Sequence, residues 1–177
     1  MLVADHGKAP VPIDGAGDVE PHWLDPGQQR DWRATITGMT FLMRALSTDL
    51  ELEVGLSMAE YELLVRLSEA GCEGVRMAEL AEQVAHSRSR VTHTIARLER
   101  SDLVERLPAR DDRRGVLARI TPEGWALLAE AAPRHVASVR ARLVDVVTPE
   151  QLHALGDVMR STLHAAGLEI SEPAVLP

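Results

Sequence analysis

Residues 77–124 decide the fold of this chain, and they read MAELAEQVAHSRSRVTHTIARLERSDLVERLPARDDRRGVLARITPEG. Apolar residues recur at helical spacing from Met77 to Val84, and the pattern breaks at Ala85-His86. Ser87 is a typical helix cap, and a second helical pattern runs from it to about Arg100. The sequence therefore predicts two short helices that meet at a tight turn.

A β-hairpin is predicted directly after the second helix. Leu103, Val104 and Arg106 follow a strand pattern, and Val116–Ile120 is a second short run with the same character. The residues between them, 107–115, are charged and include Pro and Gly, so we expect a long loop at the hairpin tip. Two helices followed by such a hairpin form a winged helix-turn-helix, in which the hairpin is the wing.

The second of these helices has one apolar side and one polar side. At helical spacing, Val91, Ile95 and Leu98 form a stripe that faces inward. An α-helix fits the major groove of DNA, where Arg grips guanine while Ser, Thr and His donate to base edges or phosphates. A solvated helix face is the alternative interpretation of the outward side. That side is small, polar and basic, and it comprises Ser89, Arg90, Thr92, His93, Ala96 and Arg97.

The hairpin tip adds positive charge beside that helix. Arg110, Arg113 and Arg114 lie in the predicted loop, and a tip of this kind fits an adjacent minor groove. We expect Asp112 to brace Arg114 through a carboxylate to guanidinium pair, which orients the arginine without binding DNA. A charged loop that is only solvated is the alternative.

Helices are predicted on both sides of this region. A long helix begins near Asp25-Pro26 and ends at Gly55, and Ser57 caps the next one. Two further helices open at Thr121-Pro122 and Thr148-Pro149, where Thr caps and Pro suits the first turn. The predicted order is α, α, α, α, β, β, α, α, so the fold class is mainly α with a small β-hairpin wing. The apolar stripe of the first helix is Trp32, Ile36, Met39, Met43, Leu46, Leu50 and Val54.

Positive charge is concentrated in one window of an acidic chain. The formal net charge is -8, yet residues 76–120 hold ten Arg against seven acidic residues, which gives +3. The remaining residues hold nine basic and twenty acidic side chains, which gives -11. The acidic residues outside 76–120 repel DNA, so DNA is expected to contact the chain at the basic residues within 76–120 and in one orientation.

Cysteine and hydropathy patterns indicate a cytoplasmic protein. Cys72 is the single cysteine of the 177 residues, so neither an internal disulfide nor a multi-cysteine zinc cluster can form. The seven His are scattered, and we expect no metal and no cofactor. No apolar run approaches the length that spans a bilayer, and the N-terminus lacks the pattern of a signal peptide.

The stretch from Leu56 to Gly124 resembles the MarR family of bacterial transcription regulators. The matching features are the short helix, the Ser-Arg-Ser start of the recognition helix, the Leu-Val-x-Arg strand, the Asp-x-Arg wing and the Leu/Ile-Thr-x-x-Gly exit. The flanking helices extend the resemblance to roughly residues 28–166. The resemblance implies a transcriptional regulator that binds DNA and has no enzymatic activity.

A homodimer on a pseudo-palindromic operator is the next implication of the resemblance. The recognition helix of each copy then lies in the major groove and the wing in the minor groove. The resemblance places Ser87, Ser89, Arg90 and His93 in the major groove and Arg113 and Arg114 at the wing. The full predicted DNA-binding set adds neighbouring residues of the same helix and comprises Ser87, Arg88, Ser89, Arg90, Thr92, His93, Arg97, Arg113 and Arg114. Within the resemblance, the predicted segments are a dimerisation helix at 28–56, the winged helix-turn-helix lobe at 57–120 and dimerisation helices at 121–166, followed by a tail at 167–177. Residues 1–27 lie outside the resemblance, and their four Pro, four Gly and five acidic residues predict a flexible arm.

An effector is implied as well, because many members of that family release DNA when a small aromatic or anionic molecule binds between the dimer helices and the lobe. Trp32, Arg119 and Trp125 are the candidates to line such a site, by stacking or by pairing with an anion. The alternatives are plain packing for the two tryptophans and a phosphate contact or wing salt bridge for Arg119. The expected function is thus that of a ligand-responsive repressor.

Three other functions compete with this one. A redox-responsive regulator would act through Cys72, although the neighbouring Glu69 and Glu73 disfavour the thiolate on which such sensing depends. An enzyme is disfavoured because the sequence has no Gly-rich phosphate loop, no nucleophile elbow and no H-E-x-x-H motif. A protein-interaction module that has lost DNA binding is disfavoured by the arginines of the hairpin tip.

Overall fold

The architecture follows the predicted order of helices and adds short strands to it. The structure is a computed structural model, and it describes residues 2–4, 22–84, 86–109 and 112–170. For residues 2–4, 112–114 and 169–170 it describes the backbone alone. The elements are β1 (Leu2–Ala4), α1 (Pro26–Val54), α2 (Met58–Glu69), β2 (Val75–Arg76), α3 (Met77–Gln83), α4 (Arg88–Arg100), β3 (Val104–Ala109), β4 (Asp112–Ile120), α5 (Pro122–Val139), α6 (Pro149–Ala165) and β5 (Leu168–Ile170). A 3-10 turn at Gly71–Glu73 follows α2, and a π-helical turn at Arg140–Val144 follows α5.

Side-chain caps set the helix boundaries where the sequence places them. The side chains of Asp25, Ser57 and Thr148 each accept a hydrogen bond from a backbone amide of the first turn. In each case the side chain of a Glu or Gln three residues later accepts a hydrogen bond from the backbone amide of the cap residue. Ser87 caps α4 in the same way by accepting from the amide of Arg90. The predicted start of each of these helices is confirmed, because the caps supply partners for amides that the helix leaves without one.

The hydrophobic core lies between α2, α4 and the base of the wing. Leu63, Leu64 and Leu67 of α2 are fully buried, and so is Leu80 of α3. The predicted inward stripe of α4, Val91, Ile95 and Leu98, is buried against them, so that prediction is confirmed. Burial of one such side chain contributes about 1.5–3 kcal/mol, and the orientation of α4 is therefore set by its apolar face.

The wing differs from its prediction. The loop predicted over 107–115 is wrong, because β3 and β4 continue almost to the tip and leave only residues 110 and 111 between them, outside the described residues. Pro108 is compatible with a strand here because β3 lies at the edge of the sheet, whose order is β2-β4-β3. The third strand, β2, was not predicted, and it pairs Val75 with Ala118.

The two ends of the described chain meet in a second small sheet. Strand β1 pairs antiparallel with β5, with Leu2 opposite Ile170 and Ala4 opposite Leu168. The structure describes residues 2–4 and 22–27 of the predicted flexible arm and residues 167–170 of the predicted C-terminal tail. The other residues of both segments lie outside the described ranges. No helix of the described residues is long and apolar enough to cross a membrane.

Helix α1 attaches to the rest of the chain through its C-terminal half. Leu46 and Leu50 are buried, whereas no residue among 22–45 is. Asp49 accepts hydrogen bonds from Nε and Nη2 of Arg142, both at 2.6 Å, and one from Ser138. The bonds from Arg142 and Ser138 lower the pKa of Asp49 to about 2. Arg134 also donates to the carbonyl of Glu53 at 3.5 Å, and the two contacts together place α1 antiparallel to the helical segment that contains α5.

Gly124 is the tightest point of the connection between the wing and α5. A Cβ there would lie 2.2 Å from the carbonyl oxygen of Leu103 and 2.8 Å from Ile120. Thr121 holds the same connection, since its hydroxyl donates to the carbonyl of Asp102 at 2.7 Å and accepts from the amide of Gly124. The glycine is therefore required by the close approach of two backbones.

We expect Gly124→Ala to destabilise the fold by about 1–3 kcal/mol, because the added methyl overpacks this contact. Gly38→Ala is the matched control, since it is also a helical glycine but a Cβ there meets no atom within 4 Å. The control is expected to stabilise by about 0.5–1 kcal/mol. Denaturant unfolding of the two variants measures both changes, and equal stability of both would contradict the contact.

Candidate nucleic-acid interface

Helix α4 presents a polar side to solvent, opposite its buried stripe. Every predicted DNA-binding residue from Ser87 to Arg97 is exposed, whereas Val91, Thr94, Ile95 and Leu98 are buried. At about 100° per residue, Ser89, His93 and Ala96 lie at the centre of the outward side, and Arg90 and Thr92 lie on its two edges. The small Ser89 and Ala96 leave room for close approach to a flat or grooved partner.

Two side-chain contacts hold α4 on either side of its buried face. On one flank, Arg97 donates from Nε to Oε1 of Glu60 at 2.5 Å and from Nη2 to the hydroxyl of Ser57 at 3.0 Å. On the other flank, Arg106 of β3 donates to Glu99, with Nε at 2.8 Å from Oε2. The bonds from Arg106 lower the pKa of Glu99. Recognition helix, helix α2 and wing are thus joined by ionic contacts.

The wing carries its arginines on an irregular stretch of strand. The register moves from Pro108 opposite Val116 to Ala109 opposite Asp112, so residues 113–115 form a bulge in β4. The predicted wing residues Arg113 and Arg114 lie in this bulge. Their side chains, and that of the predicted brace Asp112, are outside the described residues, so the bracing of Arg114 stays a prediction.

Two ion pairs brace the described part of the wing, and only a salt bridge of Arg119 was considered from the sequence. Arg106 pairs with Glu99, as above, and Arg119 donates from Nε to Oε1 of Glu105 at 2.8 Å. The alternation of side chains along the two predicted strands is a sequence signal for the second pair, because Glu105 and Arg119 are opposite each other in the register of β3 and β4. The wing salt bridge considered for Arg119 is therefore the contact that the structure contains.

A cleft of about 420 Å³ separates the recognition helix from the wing. The hydroxyl of Thr92 donates to the carbonyl of Arg88 at 2.8 Å and keeps its oxygen available as an acceptor. Two basic residues that the sequence analysis left out of the interface, Arg76 and Arg106, border this cleft. Arg100 was left out as well, although it shares the outward side of α4 with His93. The lining residues are Arg76, Met77, Ala78, Thr92, Arg106, Gly115 and Val116.

A carboxylate lies next to the N-terminal end of α4. Nε2 of His86 is 3.5 Å from Oε2 of Glu62. Burial raises the pKa of Glu62, while the charges of His86, Arg66 and Arg90 act in the opposite direction. Glu62 is therefore a partly buried acid near the positive charges at the N-terminal end of α4.

The structure of one chain does not bring the predicted effector residues together. Trp32 and Trp125 are 55% and 37% exposed, and they lie towards opposite ends of the antiparallel pair formed by α1 and α5. Arg119 borders a separate cavity of about 380 Å³ at the outer side of the wing base, together with the exposed Cys72. Neither tryptophan lines that cavity.

Comparison with known proteins agrees with this geometry. The model of the MarR family matches residues 56–116. Sco3205 from Streptomyces coelicolor, a MarR family transcriptional regulator with a crystal structure in complex with DNA, is 40% identical and superposes with a TM-score of 0.78. That match covers 81% of this chain and 89% of Sco3205. The chain belongs to the MarR family.

Other relatives support the same assignment. AbsC, a MarR family regulator from Streptomyces coelicolor, is 38% identical with a TM-score of 0.74, over 80% of this chain and 95% of AbsC. The regulator PecS from Dickeya dadantii is 28% identical over 99 residues, which is 55% of this chain and 60% of PecS. As a family member, the chain is a winged helix-turn-helix transcriptional regulator and not an enzyme. The predicted family and fold class are confirmed.

Proposed function

We propose that this MarR family protein binds a pseudo-palindromic operator as a homodimer. The α4 helix of each copy lies in a major groove, and the wing that follows it reaches the neighbouring minor groove. The observation that carries the proposal is the outward side of α4, where Ser89, Arg90 and His93 are exposed between two fixed flanks. Major-groove readout requires a rigid helix that presents donors, and this geometry meets that requirement.

The charges near α4 support a division of tasks between residues. Arg90 can reach the two acceptors of guanine, while His93 and Ser89 donate to base edges near the helix centre. Arg113 and Arg114 extend the basic surface along the wing, where a narrow minor groove attracts guanidinium groups. The acidic remainder of the chain restricts DNA to this side, since it repels phosphates elsewhere.

The homodimer is supported by helices that one chain leaves uncovered. No residue of α6 is buried, although Leu152, Leu155, Met159 and Leu163 share one side of it. An isolated helix of this length is marginal in water, so α6 requires a partner. The N-terminal half of α1 likewise exposes Trp32, Ile36, Met39 and Met43. A second copy supplies matching apolar surface for both helices by two-fold symmetry.

Base reading and phosphate binding are separable by two substitutions. We expect Arg90→Ala to lower the preference for the operator over random duplex, and Arg114→Ala to weaken binding to every duplex, each by about 1–3 kcal/mol. Arg114→Ala also lowers the slope of log K against log salt by about 0.9, because one phosphate contact is lost. Fluorescence titration at several salt concentrations measures both quantities. Unchanged affinity of both variants would refute the proposed interface.

Dimerisation is expected to depend on the apolar side of α6. The double variant Leu155→Asp/Met159→Asp should be monomeric with an intact lobe, because these side chains contribute no buried residue to their own chain. Ala154→Asp/Ser161→Asp adds the same charges on the opposite side of α6 and should remain dimeric. Analytical ultracentrifugation distinguishes the two states. A dimer in both variants would show that α6 is not at the interface.

Ligand-responsive repression stays a prediction of the family resemblance. Trp32, Trp125 and Arg119 are separated within one chain, so a shared site requires surfaces from both copies. Redox regulation through Cys72 also stays a prediction. Because the chain has one cysteine, a disulfide could form only with another molecule.

A further inference from the structure

Arg97 makes contacts within its own chain in addition to the DNA contact predicted for it. Its guanidinium donates from Nε to Glu60 at 2.5 Å and from Nη2 to Ser57 at 3.0 Å, across 37 and 40 positions of sequence. Both partners belong to the N-terminus of α2 rather than to the DNA-facing side. The side chain of Arg97 thus crosses from the recognition helix to the helix that supports it.

Glu60 is a buried acid with a complete set of partners. Its side chain is 10% exposed, and its second oxygen, Oε2, accepts from the amide of Ser57 at 2.9 Å and from the hydroxyl of Ser57 at 2.7 Å. The other oxygen, Oε1, accepts from Arg97. A buried carboxylate that loses its cation is strongly disfavoured, so this position holds the guanidinium of Arg97 in place.

The position of Arg97 around α4 explains why this contact matters for DNA. At about 100° per residue, Arg97 and Glu99 are about 200° apart and lie on opposite flanks of the buried stripe. Glu99 is held by Arg106 of the wing, and Arg97 is held by α2. The buried stripe keeps the same side of α4 inward, but with one flank released a small rotation about the helix axis is less strongly opposed, and Ser89, Arg90 and His93 then shift from their alignment with base edges.

We infer that Arg97 is a positioning residue for DNA recognition, which sets the rotation of α4 through Glu60 and Ser57 and contributes no phosphate contact. The inference rests on the proposed placement of α4 in the major groove. A pair that acts as a unit has a distinct signature, because removal of either partner has the same effect and removal of both adds little.

The test uses Arg97→Met, Glu60→Gln and the double variant in the full-length chain. Methionine keeps an apolar stem but donates no hydrogen bond, and glutamine keeps the shape of Glu60 without its charge. Arg134→Met is the control for removal of an exposed arginine pair away from α4, because Arg134 pairs with the exposed Glu130 at 3.1 Å and also donates to the carbonyl of Glu53. Binding to the operator and to a scrambled duplex is titrated at several salt concentrations, and denaturant unfolding identifies the variants that fold.

Arg97→Met and Glu60→Gln should each lower the ratio of operator to scrambled-duplex affinity about tenfold, with the double variant similar to either single one. The salt slope should remain that of the unsubstituted chain, and Arg134→Met should change neither quantity. Arg97→Lys should restore the ratio only in part, because an ammonium group lacks the planar fork that reaches Glu60 and Ser57 together. This last variant keeps the charge and tests the inference even if Glu60→Gln does not fold.

A different pattern would overturn the inference. If Arg97 binds a phosphate, Arg97→Met weakens both duplexes equally and lowers the salt slope by about 0.9, while Arg97→Lys restores binding fully. Under that alternative, Glu60→Gln frees the arginine and leaves affinity unchanged or higher. If the unsubstituted chain binds neither duplex, the proposed function fails, and that outcome is distinct from failure of the positioning role.

Discussion

Burial of one side of α4 is the constraint on which the rest of the structure depends. Val91, Ile95 and Leu98 enter the core against α2 and α3, and their burial determines which residues are left to face solvent. Burial of the stripe sets which side of α4 faces inward, and only small rotations about the helix axis remain possible. The ionic contacts through Arg97 and Glu99 reduce this freedom on both flanks. The residues proposed to read DNA therefore have a defined direction before DNA binds.

A second constraint concerns the helices that leave the core. Helix α6 and the N-terminal half of α1 expose apolar side chains that their own chain does not cover, and both helices are nevertheless well capped. Capping sets where a helix begins, but it does not provide the burial that keeps a helix stable in water. Stability of these segments and placement of two α4 helices on one operator are therefore linked through the proposed dimer.

The helices were predictable because their signals are local. Each helix start is indicated by a cap residue and the three residues that follow it, as at Asp25, Ser57, Ser87 and Thr148. The apolar stripe of α4 is predicted from the spacing of its residues alone. The strands were less predictable, since β2 is two residues long and Pro108 is acceptable only because β3 is an edge strand. The contact of Arg97 with Glu60 spans 37 residues, so no local pattern could separate it from an exposed basic face. The pair of Arg106 with Glu99 likewise joins two different elements, β3 and α4, and depends on how they pack.

The central claim is that two copies of α4 read one DNA site together. Selection of bound duplexes from a random pool, followed by sequencing, tests it most directly. The account predicts a pseudo-palindrome whose half-sites are centred about 10 base pairs apart, or a multiple of that spacing, because each half-site must present its major groove on the same side of the helix. Enrichment of a single unrepeated site, or no enrichment at all, would contradict it.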